Sequence, residues 1–326
     1  MSKLNDQNFR EKIKSDIVFL SETHSFSKDV LYLEGYKCFV NCRSTESSRK
    51  RGGLAVFVKR TIIGGVKLVD KSLSDMLWFK LDHTYFGLKR DLYIFFVYIS
   101  PSNSSYTLRT GMDKEIFEKL ETDISNFNSV GEVMIMGDLN AHIESKEIDF
   151  ICDELNDPLE DFLPPNYIAD NVQIKRNTQM PQRTNSYGKS ILEMCTSSQL
   201  RILNGRTLGD SIGKVTYHSY NGTSIDDYCI CSSTFLSNIL NFRIEDFHPN
   251  NSDHCQITVN IFCSNILGPK QDTCNNLRKL PPVIRWSPIR EQKFIENLNY
   301  DSFNNICTKT EKLIANENVL ITAQQT

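Results

Sequence analysis

Met136-Gly137-Asp138-Leu139-Asn140-Ala141 decides the reading of this chain. The residues before it, 133–136, are a short apolar run that reads as a buried strand. Asp and Asn are poor strand formers, so Asp138 and Asn140 mark the strand's end, where polar side chains can converge on a cleft. A distant segment, Ser252-Asp253-His254, adjoins a second strand-like run at 256–262. Glu22 follows the apolar run Ile17-Val18-Phe19-Leu20, and Asp227 precedes Tyr228-Cys229-Ile230-Cys231. Together these residues form an acidic, oxygen-rich set with one imidazole, a combination suited to a divalent cation and a phosphate ester.

Around these segments the pattern is rich in strands. Residues 17–20, 36–41, 54–58, 66–69, 77–81 and 92–99 read as strands, the last two as a hairpin over 82–90. Residues 112–127 carry Ile116, Leu120, Ile124 and Phe127 at helical spacing. Prolines at 158, 164, 165 and 181 break the pattern across 144–183, which reads as a long loop. A helix is expected at 186–198 with a serine N-cap, followed by strands at 202–204, 215–220, 228–231 and 256–262. A loose helical pattern spans 5–13. Beyond about 264 the strand pattern stops, leaving a linker near 270–282 and a weak helical pattern at 287–316. The expected organisation is therefore one domain over 1–264 and a linker with a partly helical tail over 265–326. Hairpin-joined strands with few helices predict a mainly antiparallel α+β architecture of two packed sheets, and exclude strict βαβ alternation.

Composition narrows the classes. The 326 residues include 40% hydrophobic ones, enough for a sizeable core. A net charge of -3 gives no bulk attraction to nucleic acid, so any such contact must be local. The ten cysteines form no CxxC pair, which argues against zinc and against a disulfide framework. Cys229 and Cys231 share one strand face and read as buried free thiols. No signal-peptide core or membrane-spanning run is present in the sequence, so an intracellular location, nucleus or cytoplasm, is expected.

The chain resembles the endonuclease/exonuclease/phosphatase superfamily, and within it the apurinic-type endonuclease domain of non-LTR (LINE-type) retrotransposons. The residues that carry the resemblance are Asp16-Ile17-Val18-Phe19-Leu20-Ser21-Glu22-Thr23-His24, Gly52-Gly53-Leu54-Ala55-Val56-Phe57-Val58, Val97-Tyr98-Ile99-Ser100-Pro101 and the 136–141 motif. Leu200-Arg201-Ile202-Leu203-Asn204-Gly205-Arg206, Ser224-Ile225-Asp226-Asp227-Tyr228 and Ser252-Asp253-His254 complete the set. Each motif alone is weak; the ordered set, covering about four-fifths of the chain, is specific.

The resemblance implies a four-layer α/β sandwich of the deoxyribonuclease-I type and a nuclease that leaves a 3′-hydroxyl. It makes Glu22 the principal ligand of Mg²⁺, with Mn²⁺ as an alternative, and Asp253 a second acidic group near the metal. Asp138 matches the residue that orients or deprotonates the attacking water, and Asn140 the residue that holds the scissile phosphate. His254 would stabilise charge at the phosphate, and Asp227 would fix its tautomer. Strand alternation lets only one of Asp226 and Asp227 face inward, and the family's register favours Asp227. Tyr98 matches a phosphate-contacting phenol, though an ordinary strand aromatic would look the same. Asn204 is either a substrate contact or a turn residue. The basic stretch 43–51, with Arg49 and Arg51, either touches a DNA backbone or is a solvated loop. His24 and His142 lie near these residues with no assigned role.

Two departures accompany the resemblance. The family's first strand, which ends in an Asn near the metal, would precede residue 2, and is expected to be missing here. The reverse transcriptase that follows in LINE proteins is also absent from this sequence. A chain truncated at both ends is the expectation, and its activity could be impaired. The alternative activity is a phosphomonoesterase of the same superfamily.

Overall fold

The computed structural model describes residue 10 and residues 13–25, 29–43, 52–151, 172–250 and 252–264. All lie within Met1–Gln271, one of two units into which the chain divides. Arg49, Arg51, most of the 5–13 segment, the linker near 270–282 and the helical pattern at 287–316 fall outside the described residues. Among the described residues, no helix is long and apolar enough to cross a membrane.

Thirteen described strands run in chain order as β1 Ile17–Leu20, β2 Tyr36–Asn41, β3 Leu54–Lys59, β4 Val66–Asp70, β5 Met76–Leu81, β6 Asp91–Tyr98, β7 Gly131–Asp138, β8 Leu200–Ile202, β9 Tyr217–Ser219, β10 Gly222–Ser224, β11 Asp227–Ser232, β12 Ile239–Ile244 and β13 Ile257–Ile261. They form a six-stranded sheet ordered β4-β5-β6-β7-β11-β8 and a three-stranded sheet ordered β1-β3-β2. Two antiparallel pairs, β9 with β10 and β12 with β13, complete the set. Every pairing is antiparallel except β6 with β7, which run parallel. The helix between them, α1 (Met112–Val130), supplies the crossover that a parallel pair requires. The second long helix, α2, is Ser186–Ser197.

The six-stranded sheet is covered on both faces, which explains why β6 reads as an unbroken apolar run. Tyr93, Phe95 and Val97 join Trp78, Val133, Ile135, Tyr228 and Ile230 under the helices, against Ile116, Leu120, Ile124 and Ile191. Leu92, Ile94, Phe96 and Tyr98 point the other way, with Phe79, Met134, Cys229 and Cys231, and pack on Leu54, Val56 and Val58 of β3. Burying each large apolar side chain contributes roughly 1.5–3 kcal/mol. The outer face of the smaller sheet, Ala55 and Phe57, is covered by Leu31 and Leu33. The result is a layered α+β sandwich, as expected. Cys229 and Cys231 are buried free thiols.

Several local features differ from expectation. The apolar run of β1 is only half-buried, since among the described residues it pairs only with β3. The N-cap of α2 is Asn185, whose side chain accepts from the Gly188 N–H, and Ser186 is the first helical residue. β10 and β12 were not among the expected strands. In β12, Phe242 and Ile244 are buried while Arg243 is exposed, and Leu240, of the same parity as Phe242, is exposed because the register shifts between Ile239 and Asn241.

Gly137 closes β7 in a conformation that side-chain-bearing residues rarely adopt, at φ 148°. A Cβ there would lie 2.0 Å from the Val97 carbonyl oxygen on β6. Gly137→Ala should therefore lower stability by about 1–3 kcal/mol from overpacking alone, with backbone strain added. A fall in the urea midpoint at an unchanged slope is the expected readout.

Candidate active site

Three neighbouring strands set the site's geometry. Tyr98 on β6 is the register partner of Asp138 on β7, and Asp138 is the partner of Asp227 on β11. Register partners share a face of a sheet, so the three side chains form a row. The face is identified by parity. Tyr98, Met134 and Cys229 all belong to the layer between the sheets, and Asp138 and Asp227 follow them at even spacing. The row therefore stands at the open end of the inter-sheet layer. Asp226, one residue out of phase, points to the opposite face. Its carboxylate meets His142 Nε2 at 3.2 Å and Ser224 Oγ at 2.9 Å. The choice between Asp226 and Asp227 is thus made by alternation along β11.

Each end of the row recruits a partner from elsewhere. His254 Nδ1 lies 2.7 Å from Asp227 Oδ2, and its Nε2 lies 4.0 Å from Asp138 Oδ2. The imidazole is further fixed by the Tyr217 ring, at 4.8 Å between centroids. Burial alone would lower the His254 pKa. The hydrogen bond and charge of Asp227, then the charges of Asp138 and Asp253, outweigh it and raise the pKa to about 9. At the other end, the Tyr98 hydroxyl donates to Glu22 Oε1 at 2.5 Å. Burial, then Glu22, drives the Tyr98 phenol far above its ordinary range, so it stays a proton donor.

Asp138 is 4% exposed. Burial and then the nearby Asp227 push its carboxyl well above the ordinary range, and His254 opposes them. Asn140 donates its backbone N–H and its amide to Asp138 Oδ1 at 2.9 and 3.0 Å, and its amide also reaches the Ile99 carbonyl. Glu22, Asn140, His24 and Asp75 all hold positive φ angles of 46–65°. Such strain costs of order 1–3 kcal/mol per residue and clusters at functional sites.

Two expected residues take different positions. Asn204 has no exposed surface, and its amide bonds the Asp227 carbonyl and the Cys229 N–H. It braces β11 from behind, where substrate cannot reach it. Asp253 is exposed beside His254. Among the described residues its carboxylate meets Ser252 and shows no contact with Glu22.

Two supporting residues carried no signal that was read from the sequence. Thr216 accepts the backbone N–H groups of both Asp226 and Asp227 through its hydroxyl, each at 3.0 Å. Asn185 accepts the His142 N–H and donates to the Asn140 carbonyl, tying the start of α2 to the catalytic loop. The preference for Asn at N-caps was the available cue.

The model for the endonuclease/exonuclease/phosphatase family matches residues 3–254 of this chain. The chain belongs to that family. Its fold is similar to the catalytic domain of APE2 from Xenopus laevis, at TM-score 0.57 and 13% identity over 83% of this chain and 91% of that one. It is also similar to the AP endonuclease LMAP from Leishmania major, at TM-score 0.54 and 17% identity over 79% and 81%. The endonuclease domain of TRAS1, a telomere-specific non-LTR retrotransposon, aligns at TM-score 0.47 and 13% identity over 81% and 93%. Among curated proteins, none matches the chain by sequence. Members of the endonuclease/exonuclease/phosphatase family are hydrolases of phosphate esters, the chemistry that the Asp138 and His254 geometry suits.

Proposed function

We propose that this chain is a divalent-cation-dependent phosphodiesterase that nicks DNA to leave a 3′-hydroxyl, and that it derives from a retrotransposon reading frame. The observation that carries the hydrolytic reading is the row Tyr98-Asp138-Asp227 with Glu22 and His254 attached at its two ends. The ordered sequence motifs, and fold neighbours that include AP endonucleases, support DNA as the substrate.

The site gathers the carboxylates of Glu22, Asp138 and Asp227 against one imidazolium, His254. An incoming phosphate meets excess negative charge there, so a cation is needed. The donor set fits a hard ion: it is all oxygen, and Glu22 is exposed with one carboxylate oxygen fixed by Tyr98. Glu22 would hold Mg²⁺ or Mn²⁺, and Asp253, exposed beside His254, is the second acidic candidate. When bound, such an ion neutralises phosphate charge and stabilises the leaving oxygen.

The protein's own groups supply the remaining roles. Asp138, with its raised pKa, accepts a proton from the attacking water and fixes its line of approach. Its Oδ1 is occupied by Asn140, so Oδ2, on the His254 side, faces the reaction. His254 presents a charged Nε2 to the phosphate, since Nδ1 is held by Asp227. Asn140 keeps Asp138 in its rotamer.

Full-length protein should convert supercoiled plasmid to the nicked circle with Mg²⁺, and this should stop with EDTA. The nicked ends should prime DNA polymerase directly, as a 3′-hydroxyl does. Release of phosphate from inositol phosphates without plasmid nicking would instead assign a phosphomonoesterase. A folded sample silent in both assays would sink the enzymatic reading.

A further inference from the structure

Arg43 sits in the basic stretch that sequence reading offered to the DNA backbone, yet its guanidinium turns inward. It is 12% exposed, and its Nε donates to Asp75 Oδ2 at 2.6 Å. Its Nη2 donates to Ser100 Oγ at 2.7 Å, and its plane lies over the Tyr106 ring at 3.6 Å and the Tyr98 ring at 5.6 Å. Asp75 is 1% exposed and holds φ 65° in the turn between β4 and β5.

Asp75 bonds in two directions. Its carbonyl accepts the Tyr98 N–H at 3.0 Å, at the end of β6. Its carboxylate oxygen Oδ2 takes Arg43 Nε. Gly53 and Gly52 in turn accept the N–H groups of Thr23 and His24, the two residues after Glu22, at 3.0 and 2.9 Å. The Arg43 guanidinium packs directly on Gly52, so a continuous path of hydrogen bonds and packing runs from the Glu22 turn, through Gly52, Arg43 and Asp75, to Tyr98 on the larger sheet. Among the described residues, Glu22 and Tyr98 themselves meet through one side-chain hydrogen bond.

We propose that Arg43 and Asp75 form a positioning bracket that fixes the Glu22 turn against Tyr98, so that the Glu22 carboxylate is preorganised for a divalent cation. The inference rests on the cation-dependent reading given above and assigns Arg43 to the protein's interior, not to DNA. In this bracket Arg43 and Asp75 act through the Glu22 turn and Tyr98, as positioning residues. Residues that orient a metal ligand from behind change metal affinity by about 10–100-fold when removed, and the bracket should fall in that range.

The test uses the full chain without DNA. MgCl₂ is titrated by calorimetry into wild type, Arg43→Ala, Arg43→Lys and the double variant Arg43→Ala with Asp75→Asn. The double variant leaves no buried carboxylate stranded, so it guards against simple misfolding. Hydrogen exchange of the 22–25 and 97–99 segments gives a second readout that needs no cation. The bracket predicts Mg²⁺ binding weakened about 10-fold or more in both alanine-containing variants, with Arg43→Lys intermediate. It also predicts faster exchange at Thr23 and His24 while the helices α1 and α2 stay protected. Wild-type Mg²⁺ affinity and unchanged exchange in the folded double variant would overturn the bracket and leave the nuclease reading standing. Absent Mg²⁺ binding in wild type would overturn the cation reading; local exchange would then decide the bracket by itself.

Discussion

Asp138→Asn is expected to lower plasmid nicking by about 10²–10⁴-fold, the usual contribution of a general base, without lowering the melting temperature. The two effects part because of what each carboxylate oxygen does. Oδ1 accepts both Asn140 donors, and an asparagine oxygen can take its place, so the strained turn at Asn140 keeps its anchor. Oδ2 faces His254, and replacing it with an amide removes the proton acceptor. The substitution also removes a buried negative charge that Asp227 repels, so stability should hold or rise. Stability gained at the expense of activity is a common mark of catalytic positions. Alanine is a poorer probe, since it also strands the Asn140 N–H. Plasmid nicking and thermal melting on the same sample are the two measurements required. Wild-type nicking by a folded Asp138→Asn protein would remove Asp138 from the reaction.

How far the sequence reaches depends on the kind of feature. The central strands of the large sheet were readable because burial on both faces leaves long apolar runs, as in 92–98 of β6 and 133–136 of β7. Candidate site positions were readable for the converse reason. Asp138, Asp227 and Glu22 interrupt or terminate apolar runs where a packing role is implausible, and the family motifs fix their order. What resisted reading were roles set by contacts distant in sequence. Asn204 looked like a substrate contact until its amide was seen spanning two β11 backbone groups. Arg43 looked like surface charge because its partner, Asp75, lies 32 residues away. The link between Tyr98 and Glu22 was equally hidden, since the hydroxyl reaches a carboxylate 76 residues away. A hydroxyl such as that of Thr216 gives no periodic signal at all, since it acts on a turn that only the tertiary fold brings beside it. β12 was missed because its register shift leaves alternation only around Phe242 and Ile244, too short a stretch for the pattern to repeat.

His254→Ala should reduce nicking by about 10²–10⁴-fold, and the pH dependence separates its charge from its bulk. The groups facing the imidazole are Asp227, Asp138 and Asp253, with the neutral Tyr217 ring against its side. They hold its pKa at about 9, so wild-type kcat/KM should be sustained through neutral pH and fall as pH rises through about 9. Asp227→Asn keeps an acceptor for Nδ1–H but removes the charge, while burial continues to favour the neutral ring. The falling limb should then move to lower pH by at least one unit. Stability follows the same linkage. A histidine whose folded pKa lies above its unfolded value of about 6.5 stabilises the native state fully below that value, and the contribution disappears as pH rises through about 9. Melting temperatures between pH 6 and 10 should therefore fall more steeply for wild type than for Asp227→Asn or His254→Ala. A falling limb that stays at the same pH in Asp227→Asn would show that another group sets it, and would break the link between this dyad and the phosphate.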